Sequence, residues 1–133
     1  MSKGEKDIRV LLQNINPILQ EGVYVFVTCE RRQEQDLKPN AICRFVEEEG
    51  VTLIMLKDEA EHLGFDYIFP CQRITLNIHS SLEAVGFLAA ISKELTAAGI
   101  SSNVISAYYH DHLFISNEQV DEAMNILNAF REK

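Results

Sequence analysis

The chain of 133 residues has little of what marks several protein classes. Its cysteines are three (Cys29, Cys43 and Cys71), an odd number and too few to staple a secreted mini-protein, so a reducing cytoplasm is expected. Its apolar runs fall far short of the ~20 residues of a membrane-spanning helix. The start, MSKGEKDIRV, has no apolar core of a secretory signal. Basic clusters are missing too. Residues 1–65 carry 8 basic and 12 acidic side chains and residues 66–133 carry 4 and 8, so the net charge of −8 is shared equally. Without a basic tail or stripe, a nucleic-acid partner is not expected, and neither is a membrane. No glycine-rich phosphate loop occurs, and Ser80-Ser81 lacks the flanking glycines of a nucleophile elbow. No cofactor, metal or catalytic residue is therefore expected, and the chain reads as a non-enzyme.

What is present is a run of alternating elements. Ile8, Leu11, Leu12, Ile15 and Leu19 recur at helical spacing after Asp7, a suitable N-cap, with Pro17 interrupting the pattern. Met1 to Lys6 is polar and expected to fray. Val23 to Cys29 (VYVFVTC) reads as a buried central strand. Glu30 to Asn40 reads as a polar loop. Ala41–Val46 and Val51–Lys57 read as a hairpin, and Asp58–Leu63 as a short helix ended by Gly64, where a boundary between halves 1–64 and 65–133 is placed. After a short extended piece, Phe65–Phe69, Pro70 marks an edge or joint. The strand Cys71–Ile78 sets Ile74, Leu76 and Ile78 against Arg73, Thr75 and Asn77. A helix over 81–98 follows with Ala84, Leu88, Ile91 and Leu95 on one stripe. Strands at 103–107 and 112–116 and a last helix, capped by Ser116 or Asn117 and lined by Val120, Ala123, Met124, Leu127 and Phe130, complete the order. It is α-β-β-β-α, then β-α-β-β-α.

A strand–helix–strand unit in one sheet brings the ends of strands 71–78 and 103–107 to the same edge. Two polar corners, His79-Ser80-Ser81 and Tyr109-His110-Asp111, then share a rim, about 10 Å apart if one strand lies between them. Ser80-Ser81-Leu82-Glu83 at a helix start offers free N–H groups to an anion. It equally forms a capping box between Ser80 and Glu83. Asp111 fits turn chemistry, or it is the partner of a ligand ammonium group. Together the two corners suit a zwitterion. His79, His110 and His112 with Asp111 give a metal reading and a metal-dependent hydrolase as an alternative, but no other ligand spacing supports it.

The stretch NIHSSLEAVGFLAAISKELTAAGISSNVISAYYHDHLFIS resembles an ACT domain, and the whole chain is similar to small bacterial proteins built of two such units in tandem. The resemblance implies an α+β, ferredoxin-like fold, with two ACT-like units whose antiparallel sheets are covered by helices. The N-terminal unit looks rearranged, since it starts with a helix, and the C-terminal unit lacks a fourth strand of its own. The short strand near Phe65–Phe69, or strand exchange between the halves, would complete the sheets. The resemblance further implies a regulatory, homo-oligomeric module that binds a small molecule, an amino acid above all, at an interface between units. Its ligand residues would be His79, Ser80, Ser81, Leu82, Glu83, Ala84, Val85 and Gly86. Asp111 joins them because it matches a ligand-contacting aspartate at the hairpin of the ACT-built arginine sensors of eukaryotes. Any signal is expected to pass to another chain. The alternative within the same fold is a ligand-free module for protein–protein interaction.

Overall fold

The computed structural model describes residues 4–132. The elements run α1 (Ile8–Gln13), β1 (Pro17–Leu19), β2 (Tyr24–Cys29), α2 (Arg31–Leu37), β3 (Ala41–Val46), β4 (Val51–Leu56), α3 (Lys57–Leu63), β5 (Ile68–Leu76), α4 (Phe87–Ala97), β6 (Ser102–Ser106), β7 (Asp111–Ser116) and α5 (Val120–Ala129). A short 3-10 turn over Phe130–Glu132 follows α5.

By packing, the chain divides into two units, Gly22–Cys71 on the one hand and Met1–Glu21 with Gln72–Lys133 on the other. The expected halves 1–64 and 65–133 divide the chain by order along it. Packing instead joins α1 and β1 to the C-terminal elements.

The Gly22–Cys71 unit follows the order β2-α2-β3-β4-α3-β5, and its strands lie in the order β3-β4-β2-β5. All of these pairings are antiparallel. That is the ferredoxin-like arrangement. β2 and β4 are the central strands, so their β-branched residues Val25, Val27 and Val51 are buried with Leu53, Met55, Ala60 and Phe65 in one cluster. Pro70 supplies no N–H to the ladder, and the β2–β5 register shifts between Tyr24 (opposite Cys71) and Phe26 (opposite Ile68). Phe69 sits in this irregularity with a left-handed backbone, φ 58°.

The other unit has the same arrangement built from rearranged pieces. The second part of β5, then α4, β6, β7 and α5 supply three strands and two helices. The fourth strand is β1, which pairs antiparallel with β5 (Pro17 opposite Leu76, Leu19 opposite Ile74) and gives the order β1-β5-β7-β6. The N-terminal segment thus completes this sheet, while the piece near Phe65–Phe69 leads into β5. The α+β, ferredoxin-like fold of two tandem units is what the chain adopts. The core of this unit gathers Leu11 and Ile15 with Ile74, Leu76, Phe87, Ile91, Leu95, Leu113, Ile115, Val120, Leu127 and Phe130.

Several local expectations are corrected. α1 ends at Gln13, because Pro17 opens β1 instead of kinking a longer helix. The polar stretch 30–40 contains a helix, α2, with no buried residue. Without an apolar stripe it gives no periodic signal. The Gln33 side chain accepts the Glu30 N–H at 2.9 Å, closing a capping box, and Arg44 grips Glu34 through two hydrogen bonds. α3 begins one residue earlier than expected, at Lys57, with Leu56 as its N-cap. α5 begins after Gln119, not after Ser116 or Asn117. Gly4–Lys6 is not frayed, since Glu5 pairs with Ser80 in a parallel bridge. Met1–Lys3 and Lys133 lie outside the described residues.

Leu11 has no exposed surface. Leu11→Ala is expected to cost about 2–5 kcal/mol, because the small helix that carries it cannot collapse into the space left. A urea titration with an unchanged slope and a lower midpoint checks this.

Candidate functional site

The C-terminal helix of the site does not start where its polar residues stand. α4 begins at Phe87, and its N-cap is Gly86 with φ 89°, a conformation that strains any residue with a Cβ. Ser81–Ala84 folds as a turn instead: the Ala84 N–H donates to the Ser81 carbonyl at 3.0 Å and the Glu83 N–H to Ser81 Oγ at 3.1 Å. The Ser80–Glu83 capping box is therefore not formed. Glu83 turns outward to Lys6, 2.9 Å away, whose ammonium holds the carboxyl below the usual carboxylate range.

No side chain caps α4. The first N–H groups of a helix have no intrahelical partner and carry the positive end of its dipole. Residues of this helix start, Gly86, Phe87, Leu88 and Ala89, line a pocket of about 160 Å³ together with Ser80, Ser81, Leu82 and Ala84 from the preceding turn. The remaining wall is Ser106 and Asp111, which pair across the β6–β7 hairpin. Asp111 is not in the turn but is the first residue of β7, and it is 5% exposed. Its Oδ2 accepts the Ser80 hydroxyl at 2.9 Å.

The two polar corners are thus closer than the roughly 10 Å inferred from strand spacing. That spacing separates β5 from β6, whereas Asp111 stands on β7, the strand between them.

Of the nine residues singled out from the sequence, Ser80, Ser81, Leu82, Ala84, Gly86 and Asp111 line one pocket. Glu83 lies outside it, in a shallow depression with Tyr108. Val85 is 86% exposed. His79 stacks loosely on the exposed Tyr109 and Tyr108, with ring centroids 5.4 and 6.1 Å away. Phe87, Leu88, Ala89 and Ser106 were missed. The spacing Phe87, Ile91, Leu95 behind a lone Gly86 carried the signal: it sets the helix start at Phe87, six residues after Ser81.

The N-terminal segment already uses part of the turn. Glu5 donates its N–H to the His79 carbonyl at 2.9 Å and accepts the Ser81 N–H at 2.8 Å. Residues of other candidate chemistries are committed elsewhere. The His112 Nδ1 lies 3.0 Å from Thr75 Oγ1, which also accepts from Gln20. The His110 and His112 rings are 6.5 Å apart and nearly perpendicular, and no cluster of metal-ligating groups occurs among the described residues. The Cys71 thiol is buried, pushed up to about 12 by desolvation, and donates to the Tyr24 carbonyl, which makes it a poor nucleophile.

The corresponding position of the Gly22–Cys71 unit is built differently. Its helix start is closed by the Glu30–Gln33 box. Its third strand, β4, begins with the fully buried Val51 where β7 begins with Asp111. A Cβ on Gly50 would lie 3.0 Å from the Cys29 carbonyl oxygen, so the hairpin backbone presses on the end of β2.

This is a pair of ferredoxin-like units, one of which has a polar pocket at the junction of strand, turn and helix. Models of the ACT domain match residues 3–72 and 69–129, and the chain belongs to the ACT-domain family. ACT domains are regulatory modules, often for amino acids. A Vibrio cholerae protein of unknown function, described as a possible transport protein, is 39% identical, with 96% of this chain and 98% of that one covered and a TM-score of 0.84. An Agrobacterium tumefaciens protein shares the fold at 13% identity, with 88% and 89% covered and a TM-score of 0.69. So does the regulatory subunit of aspartate kinase from Thermus thermophilus, at 8% identity, 87% and 98% covered and a TM-score of 0.66. No curated protein matches the chain. Among the described residues no helix is long and apolar enough to cross a membrane.

His112 gives the site a pH dependence. Burial, then the nearby charges of Arg73 and His110, hold its pKa below the ordinary 6.5, against the opposing pull of Asp111. A histidine depressed on folding favours the neutral ring, so the folded state binds fewer protons than the unfolded one between the two values. Its contribution is complete above the ordinary value and is lost as the pH falls through that window. The urea midpoint is expected to fall between about pH 7.5 and about pH 5, and His112→Gln should flatten that fall.

Proposed function

We propose that the chain is a non-enzymatic regulatory module of the cytoplasm that holds one small amino acid in the pocket beside Asp111. One observation carries this reading: an uncapped helix start and a buried carboxylate line the same small cavity. The ligand carboxylate would take the N–H groups of Phe87–Ala89, and its ammonium group would take Asp111. The family supports a regulatory role and an amino-acid ligand, and a structural likeness to aspartate kinase regulatory subunits is in keeping with it. Leu82 of the lining is 66% exposed, and Val85 in the same turn and Tyr108 in the depression beside it are 86% and 53% exposed. A second copy seated there would shield the ligand, so the site would work at an interface within a homo-oligomer.

A second reading, a module for protein–protein interaction that holds no ligand, has its own observation. Glu5 takes the Ser81 N–H and Ser80 donates to Asp111, so the chain satisfies part of the site by itself.

A thermal-shift panel of single amino acids separates the two. A ligand at 100 times its Kd stabilises by about 2.7 kcal/mol. Asp111→Asn is expected to weaken it by tenfold or more, the value of a hydrogen bond to a charged group. A stabilising ligand that binds the variant equally well removes Asp111 from the site. No shift with any amino acid leaves the ligand-free reading.

A further inference from the structure

We infer that the Gly22–Cys71 unit holds a second and different small-molecule site, for an apolar molecule with an amine at one end. It does not rest on the amino-acid pocket. Phe26, Val27 and Thr28 of β2 and Thr52 of β4, with Asp66, Tyr67 and Ile68, line a cavity of about 300 Å³, nearly twice the volume of the first. At its start β5 pairs irregularly with β2. Pro70 has no N–H to give, the register shifts between Tyr24 and Phe26, and Phe69 takes a left-handed backbone with its ring edge-on to Phe26, centroids 5.8 Å apart. A phenylalanine kept at φ 58° beside a pocket is a strain that the fold retains, and retained strain gathers at binding sites. Ile68, the residue before it, is 71% exposed on the pocket wall.

The walls select an apolar body, and the charges select its sign. Asp66 is the one charged residue of the lining. The hydroxyls beside it already serve carboxylates: Tyr67 donates to Glu61 at 3.1 Å, and Thr52 donates to Glu47. Residues 22–71 carry five basic and ten acidic side chains. An anion in this pocket meets the Asp66 carboxylate and no cation of the lining, whereas an ammonium group at the rim finds its opposite charge in Asp66. The occupant is therefore an arylalkyl or alkyl amine, not an acid and not a zwitterion.

Phenethylamine and 3-phenylpropanoate share a ring and a chain length and differ in the sign of the end group. Each is titrated into the isotope-labelled protein and followed by amide chemical shifts. The amine is expected to move the amides of residues 26–28 and 66–68 and to bind at least about tenfold more tightly than the acid. Asp66→Asn should bring the two Kd values within about threefold of each other, and Ile68→Lys, a change at an exposed position, should abolish binding of the amine. Equal binding of the acid, no shift with either compound, or shifts confined to residues 80–89 and 111 overturns the proposal. So does movement of the same 26–28 and 66–68 amides on simple dilution of the ligand-free protein, which would make a second copy the occupant.

Discussion

The pairing of β1 with the second part of β5 is the constraint on which the site-bearing unit depends. Without it Ile74 and Leu76 would lie on an unpaired edge, and the sheet that positions β7 would have three strands instead of four. The pairing also explains why the chain begins with a helix. α1 exists to bring β1 to that edge, and it does so by burying Leu11 and Ile15 in the core shared by α4 and α5. β5 is long because it serves twice. Its start closes the Gly22–Cys71 unit against β2, and its end opens the other unit.

The pocket follows from what this frame leaves unsatisfied. Gly86 at a left-handed N-cap turns the chain into α4 without offering a side chain to the free N–H groups. β7, as the central neighbour of β5 and β6, carries its first residue inward, so a carboxylate there is buried. One hydroxyl, from Ser80, meets it. Burying a carboxylate costs free energy unless donors or a cation pair with it, and the Ser80 hydroxyl is one such donor. The Gly22–Cys71 unit shows the alternative: valine at the matching strand start and a closed box on the helix.

The parts of the fold that the sequence made legible are those in which burial and period coincide. β2 is a run of β-branched and aromatic residues, β4 and β7 carry apolar runs that are mostly buried, and α4 and α5 have apolar stripes. α2 was illegible because its residues are polar all round, and its support comes from a cap and from Arg44, which is remote in sequence. The start of α4 was misplaced because Ser80-Ser81-Leu82-Glu83 fits a capping box between Ser80 and Glu83, while the turn that forms has the Glu83 N–H on Ser81 Oγ. What decided between them was Lys6, drawing Glu83 away, and Glu5, taking the Ser81 N–H.

Most of the strands and helices and the two polar corners were written in local patterns, because hydrophobic period and turn chemistry act over a few residues, while the ferredoxin-like class came with the resemblance to ACT domains. Which strand completes which sheet was not, since β1 and β5 pair across more than fifty residues and a three-residue strand carries no periodic signal. Nor was the 2.9 Å contact between Ser80 and Asp111, on which the pocket turns. It arises only when β7 is laid between β5 and β6, and that placement is set by the packing of the whole unit and not by any stretch of chain.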